Sequence, residues 1–243
     1  MTTPDRTVDD QQQDNGPAPR TVAIVGGSGK LGSGLGLRLA RAGHRVVLGS
    51  RSAERGREEA ERLRSEHGAT LAVAGSDNAA ACREGDVVLL AVPHEGHDAL
   101  VAELAPYLSG KTVVTCGNPL GFDERGPFGI EVPGGSIAES TAAALPDSTV
   151  VGAFHHVSAV SLRRVTHDLS HESVLVCGDD DDANAVVAEL ASDVTGGPAV
   201  VAGPLRLARQ LEPFTAVLIS VNKRYRARSG LSLTGLAPAP ALT

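Results

Sequence analysis

Apolar and polar positions alternate along the chain in short, regular blocks. Thr21-Val-Ala-Ile-Val25 is an apolar run of strand length and predicts a buried strand. A glycine-rich turn follows, and the apolar stripe from Leu31 to Ala42 predicts a helix, closed by Gly43. Arg45-Val-Val-Leu48 predicts a second strand, Ala53 to Glu66 a charged surface helix, and Leu71-Ala-Val-Ala74 a third strand. Asp86 to Val92 predicts a fourth strand, ended by Pro93; a helix over 97–108 and a fifth strand, Thr112-Val-Val-Thr115, come next. Ser136 opens a further helix, with Glu139 three residues on as a capping box. Strands over Thr149–Phe154 and Val174–Cys177, a helix over 182–195 and a mostly helical stretch from Leu205 to Arg228 complete the pattern.

Strand alternating with helix predicts an α/β protein: a Rossmann-type doubly wound parallel sheet over 20–150 with a small C-terminal α/β domain over 151–243. The first nineteen residues are rich in Asp, Gln, Thr and Pro and read as a disordered tail.

Composition narrows the function classes. A net charge of −7 argues against nucleic acid or an anionic membrane surface as the main partner. No apolar run approaches the ~18 residues of a membrane span, and the tail lacks the apolar region of a secretory signal. Cys82, Cys116 and Cys177 are odd in number and widely spaced, which fits a reduced, cytoplasmic setting and no metal site. The acidic run Asp179–Asp182 directly precedes a predicted helix, where carboxylates cap N–H groups and complement the helix dipole.

The candidate chemistry begins in the first turn. Gly27-Ser28-Gly29-Lys30-Leu31-Gly32 fits GxGxxG between a strand and a helix, the setting in which glycines admit a pyrophosphate and the helix start holds it. Enzymes that use NAD carry an acid at the end of the second strand, where it binds the ribose 2′-hydroxyl. This chain has Ser50-Arg51 there, and Arg55 lies one helical turn beyond Arg51. A hydroxyl and two guanidinium groups suit a 2′-phosphate, so NADP(H) is the expected nucleotide. Val92-Pro93-His94 and Asn118-Pro119 follow the fourth and fifth strands at the same edge of the sheet and are expected to line the cleft. His155 and His156 follow another strand at that edge; alternation would send their rings to opposite faces, so one would face the cleft.

Four stretches together resemble the F420H2:NADP+ oxidoreductases, a family of deazaflavin-dependent NADP oxidoreductases. They are Val25–Gly32 with Gly49-Ser-Arg51; Asn118-Pro-Leu-Gly-Phe122; Ala153-Phe-His-His-Val-Ser-Ala159; and Leu218–Tyr225 followed by Gly230. The chain departs from the family's habit at Ser28, Lys30 and Ser158. The resemblance implies hydride transfer between C5 of reduced coenzyme F420 and C4 of the nicotinamide. It also implies a homodimer with the C-terminal part forming one wall of the deazaflavin site. It favours contact of His155, His156 and Val157 with the deazaflavin, places Ala159 by the nicotinamide, and sets Ser229, Gly230 and Leu231 beside the ring through their main chain. The cations Lys223, Arg224, Arg226 and Arg228 would then receive the coenzyme's acidic tail, or else form a solvated helix end. Direct hydride transfer calls for no catalytic triad, metal or covalent nucleophile. Two other readings keep the nucleotide: an NADPH-dependent reductase of an imine or enone, and an NADP(H) sensor without turnover.

Overall fold

The structure is a computed structural model that describes residues 18–236. The tail expected over 1–19 lies, up to residue 17, outside the described residues. In chain order the elements are β1 (Thr21–Val25), α1 (Lys30–Arg41), β2 (Arg45–Ser50), α2 (Ala53–His67), β3 (Val73–Asp77), α3 (Asn78–Glu84), β4 (Val87–Leu90), α4 (His97–Leu104) and β5 (Thr112–Thr115). They continue with β6 (Leu120–Asp123), β7 (Gly126–Gly129), α5 (Ile137–Ala144), β8 (Thr149–Gly152), α6 (Ala159–Leu162), β9 (Val174–Gly178), α7 (Asp181–Thr195), β10 (Ala199–Gly203) and α8 (Ala208–Tyr225).

Eight strands form one sheet in the order β10-β9-β8-β5-β4-β1-β2-β3. All neighbours are parallel except β8 and β9, which run antiparallel. The central strands are covered on both faces, which is why β1 from Val22 on and all of β4 are apolar rather than alternating. Alternate side chains feed two cores. Val22, Ile24, Leu48 and Leu89 pack with α1 and α7 on one face; Ala23, Val25, Val47, Val88 and Leu90 pack with α3, α4 and α5 on the other. The strands after residue 150 extend this sheet and build no sheet of their own.

Helix starts follow the capping chemistry of the sequence. Ser52, Asp77 and Asp180 each accept an N–H from the third residue beyond them. Asp179 accepts the Leu205 N–H at 2.9 Å, so two members of the acidic run hold backbone. Ser136 accepts the Glu139 N–H as expected, but the Glu139 carboxylate turns to the Ser136 hydroxyl and to Arg209. Helix α2 lies backbone to backbone on β3: a Cβ on Gly75 would fall 2.0 Å from the Gly56 carbonyl oxygen.

Several elements differ from the sequence pattern. The third strand starts at Val73 and runs to Asp77, and the helix expected over 97–108 ends at Leu104 in a 3-10 turn through Pro106. The β6–β7 hairpin was not foreseen; Asp123 closes its turn by accepting the N–H groups of Arg125 and Gly126. The short α3, α6 and the half-exposed edge strand β10 carry too weak a pattern to read. The strand expected to reach Phe154 stops at Gly152, and Phe154 itself takes a left-handed conformation, φ 63°.

Candidate active site

The turn after β1 is tied down on three sides. The Gly27 N–H donates to the Gly49 carbonyl at 2.7 Å, and the Gly29 N–H donates to the Gly26 carbonyl at 2.9 Å. Gly26 has φ +76°, and a Cβ there would sit 2.7 Å from the Ala91 oxygen, so a side chain is excluded twice over. Helix α1 then begins at Lys30 with no side-chain cap and no acid in its first turn. Its first N–H groups, those of Lys30, Leu31 and Gly32, have no helical acceptor and suit an anion.

The end of β2 lies beside this turn. Ser50 is buried, and its hydroxyl meets that of Ser28 at 3.0 Å. Arg51 and Arg55 are exposed, and neither forms an ion pair among the described residues. A cavity of about 600 Å³ joins Ser28, Gly29, Ser50, Arg51 and Arg55 to Val92 and Pro93. Its far wall includes Asn78, Leu100 and Glu103, none of them foreseen. Asn78 starts α3, an element the sequence did not disclose, while Leu100 and Glu103 were read only as helix positions. His94 falls outside the lining, with a buried Nδ1 that has no partner.

The other expected residues lie elsewhere. Lys30 and Ala159 line a groove between α1, α2 and α6, together with Arg62, Arg163 and Arg164. Pro119 faces a separate cavity of about 580 Å³ bounded by Ile130 and by Arg209, Glu212 and Pro213 of α8. There the fully buried Glu212 carboxylate accepts the N–H groups of Ile137 and Ala138 at the start of α5. Burial pushes its pKa up to about 7 against the pull of those two donors. Val157 belongs to the core.

Both histidines are buried and lie beyond the end of β8, past the left-handed Phe154, so strand alternation does not govern their rings. The His155 Nδ1–H donates to the Gly117 carbonyl at 3.1 Å, leaving Nε2 as a buried nitrogen without a partner. Nε2 points toward Gly152, where a Cβ would meet it at 3.1 Å. Burial, with the neighbouring His156 adding to it, drives the His155 pKa down to about 3, so the ring is neutral. The His155 carbonyl accepts from both Asn118 Nδ2 (2.8 Å) and the Thr215 hydroxyl (2.7 Å). The His156 Nε2–H donates to the Ser173 carbonyl at 2.9 Å, and burial lowers its pKa too. Both rings thus pack as hydrogen-bonded core residues, a role the sequence reading allowed for one of them.

The C-terminal segment docks on the turn before β9. The Ser173 N–H donates to the Leu231 carbonyl at 2.7 Å, and Asn222 accepts from both the N–H and the hydroxyl of Ser229. Gly230 rests against Glu172, whose carboxyl group lies 2.2 Å from where a Cβ would be. Lys223, Arg224, Arg226 and Arg228 are all exposed around the end of α8, and Arg226 caps it in the left-handed region. Cys82, Cys116 and Cys177 are buried free thiols, their pKa values raised by burial.

Residues 21–119 match the family described as NADP oxidoreductase coenzyme F420-dependent. The F420-dependent NADP reductase of Methanocaldococcus jannaschii is 34% identical over 221 residues, 88% of this chain and 98% of that one. Its counterpart from Methanothermobacter marburgensis shares the same identity and the same coverage of both chains. The crystal structure of a candidate F420-dependent NADP-reductase from Arthrobacter sp. FB24 superposes with a TM-score of 0.75 at 24% identity. It covers 90% of this chain and 100% of its own, and at that identity it speaks for the fold. Identity of 34% across nearly the whole length of both chains makes this protein a member of the F420-dependent NADP oxidoreductase family.

Proposed function

We propose that the protein transfers a hydride between NADP(H) and coenzyme F420. The observation that carries this is the single cleft in which an uncapped helix start, a buried serine and two unpaired arginines replace the acid of an NAD site. The phosphate loop takes the pyrophosphate, and Ser50, Arg51 and Arg55 take the 2′-phosphate. Family membership supplies the second partner, since the curated relatives are F420-dependent NADP reductases. Both coenzymes carry two electrons as hydride, so the protein's part is to bind, align and exclude water. His155 is neutral, burial lowers the His156 pKa, and both rings hold backbone, which supports a role in shaping the deazaflavin wall and not in proton transfer. Ser229, Gly230 and Leu231 complete that wall in this reading, and Ala159 borders the nicotinamide. An imine or enone reductase has less support, because the relatives at 34% identity bear the deazaflavin-dependent name.

A cytoplasmic homodimer belongs to the same proposal. Three buried free thiols support a reducing setting. Phe122 and Phe128 on the hairpin and Val217 on α8 are largely exposed, and together they support an apolar contact between two copies. The direct test is rapid mixing of NADPH, oxidised coenzyme F420 and the purified protein. Bleaching of the deazaflavin's visible absorbance, dependent on protein concentration, is expected. Binding of NADPH without bleaching would remove the proposed reaction.

A further inference from the structure

Helix α6 is a single turn, Ala159–Leu162, and one turn is too short to be stable alone. Ser158 caps its start by accepting the Ser161 N–H at 3.3 Å. Its other end is held from a different helix. The Arg38 side chain of α1 donates from Nε to the Leu162 carbonyl at 3.0 Å. Its Nη2 donates to the carbonyls of Ser161 (3.3 Å), Arg164 (2.8 Å) and His167 (2.9 Å). One guanidinium therefore gathers four main-chain oxygens from the end of α6 and the turn that follows it; the carbonyls of Ser161 and Arg164 also accept backbone N–H groups within that turn.

Gly34 stands four residues before Arg38, so both lie on the same face of α1. A Cβ on Gly34 would fall 2.7 Å from the Leu162 Cβ and 3.6 Å from the Ala159 oxygen. The glycine admits α6 and the arginine grips it. The same α1 begins at the phosphate loop, and α6 begins at Ala159. The loop expected to hold the pyrophosphate and the segment expected to border the nicotinamide are thus joined through one helix.

We propose that Arg38 is a positioning residue for hydride transfer: it fixes the 159–167 segment to α1 and so sets the depth of the wall at Ala159. The inference rests on the reading that Ala159 borders the nicotinamide. Arg38 lies in the last turn of α1, at the opposite end from the phosphate loop, so its loss should leave nucleotide binding intact while alignment suffers. A misplacement of about 1 Å costs roughly a hundredfold in rate.

The test compares Arg38→Met, Arg38→Lys, Gly34→Ala and Ala159→Leu. In Arg38→Met, amide hydrogen exchange without coenzymes should quicken at least tenfold within 160–167 and nowhere in β1–β5. The NADPH dissociation constant should stay within twofold, while the single-turnover hydride-transfer rate falls roughly 30- to 100-fold. Arg38→Lys should lie between, since an ammonium reaches fewer of the four carbonyls. Gly34→Ala should repeat the pattern by lifting α6, and it decides the matter if Arg38→Met does not fold. An Arg38→Met protein with wild-type hydride transfer overturns the inference, as does one whose NADPH affinity falls in step with its rate. Ala159→Leu separates the premise: if that substitution leaves hydride transfer untouched, Ala159 is not at the nicotinamide and the inference falls with it. If Ala159→Leu slows transfer and Arg38→Met does not, Arg38 alone has been misassigned.

Discussion

Replacing Arg51 gives the sharpest reading of nucleotide choice. In the structure Arg51 follows the buried Ser50, and no carboxylate among the described residues pairs with its guanidinium. Its donors are therefore available to a 2′-phosphate without breaking an existing bond. A hydrogen bond to a charged group contributes about 1.5–3 kcal/mol, and an exposed guanidinium belongs at the lower end. Arg51→Ala should then weaken NADPH binding about tenfold, since 1.4 kcal/mol is a factor of ten. Arg51→Asp adds repulsion, about 2 kcal/mol for like charges ~7 Å apart at an effective dielectric of ~20. NADPH affinity should then fall by two to three orders of magnitude in all. NADH carries no 2′-phosphate, so its affinity should hardly move in either variant. Titrating both nucleotides by isothermal calorimetry at low and high salt is the assay. The wild-type preference for NADPH should shrink as salt rises, because exposed charges are screened within about 10 Å at 0.1 M. Equal losses for NADPH and NADH in Arg51→Ala would refute the assignment.

Other outcomes follow from named contacts. His155→Ala should lower the single-turnover rate less than a thousandfold, which rapid mixing measures; a larger loss would mean a missed acid. The His155 pKa is about 3 when folded against an ordinary value of 6.5, and His156 is shifted the same way. Below 6.5 the unfolded chain binds protons that the folded ring refuses. The His155 ring therefore stabilises fully above pH 6.5 and loses that contribution toward pH 3, and His156 acts in the same direction. Glu212, raised to about 7 from 4.5, acts oppositely between those values. Chemical denaturation of wild type and His155→Gln from pH 4 to 7 should show a shallower acid slope in the variant. Gly75→Ala should cost about 3 kcal/mol or more in the same denaturation, since its Cβ meets main chain that cannot rotate away. Replacing Lys223, Arg226 and Arg228 together by Ser should raise the KM for coenzyme F420 at low salt and leave that for NADPH alone; an unchanged KM would mark the cluster as a solvated helix end. Dialysis against a chelator should leave turnover intact, and recovery with added zinc or magnesium after a loss would count against direct hydride transfer.

The nucleotide half was legible because its signals are local. A strand, a glycine turn and a helix start lie within Thr21–Gly32, and the second strand's end needs only Ser50-Arg51 to be read. Ser28, Gly29, Ser50, Arg51, Arg55, Val92 and Pro93 line one cavity. Its far wall was not legible, since Asn78 and Glu103 reach the cleft only through the crossover from β3 to β4 and the placement of α4. The histidines misled for a different reason. Period-two alternation assumes extended backbone, and a single left-handed residue, Phe154, cancels it. Nothing in Ala153-Phe-His-His announces that turn, because the conformation is imposed by packing and not by a glycine. The β6–β7 hairpin escaped because it has four residues per strand, with Gly121 in one and Gly126 and Gly129 in the other, and no apolar alternation.

The strand order also fixes a sequence of events during synthesis. The five neighbours β3, β2, β1, β4 and β5 all lie between Thr21 and Thr115, so the nucleotide-binding part of the sheet is complete before β8 has been made. Every one of these pairs is parallel and waits for a crossover, the slow kind of contact to form. Until Thr149–Gly152 emerges, β5 stands as an open edge with Val113 and Val114 at its centre, ready to recruit any passing strand. A chain released early, just past Asn118, would carry the whole phosphate loop and an unguarded sheet edge together. Such a fragment should bind nucleotide and aggregate, and β8 is the strand that closes this edge in the finished protein.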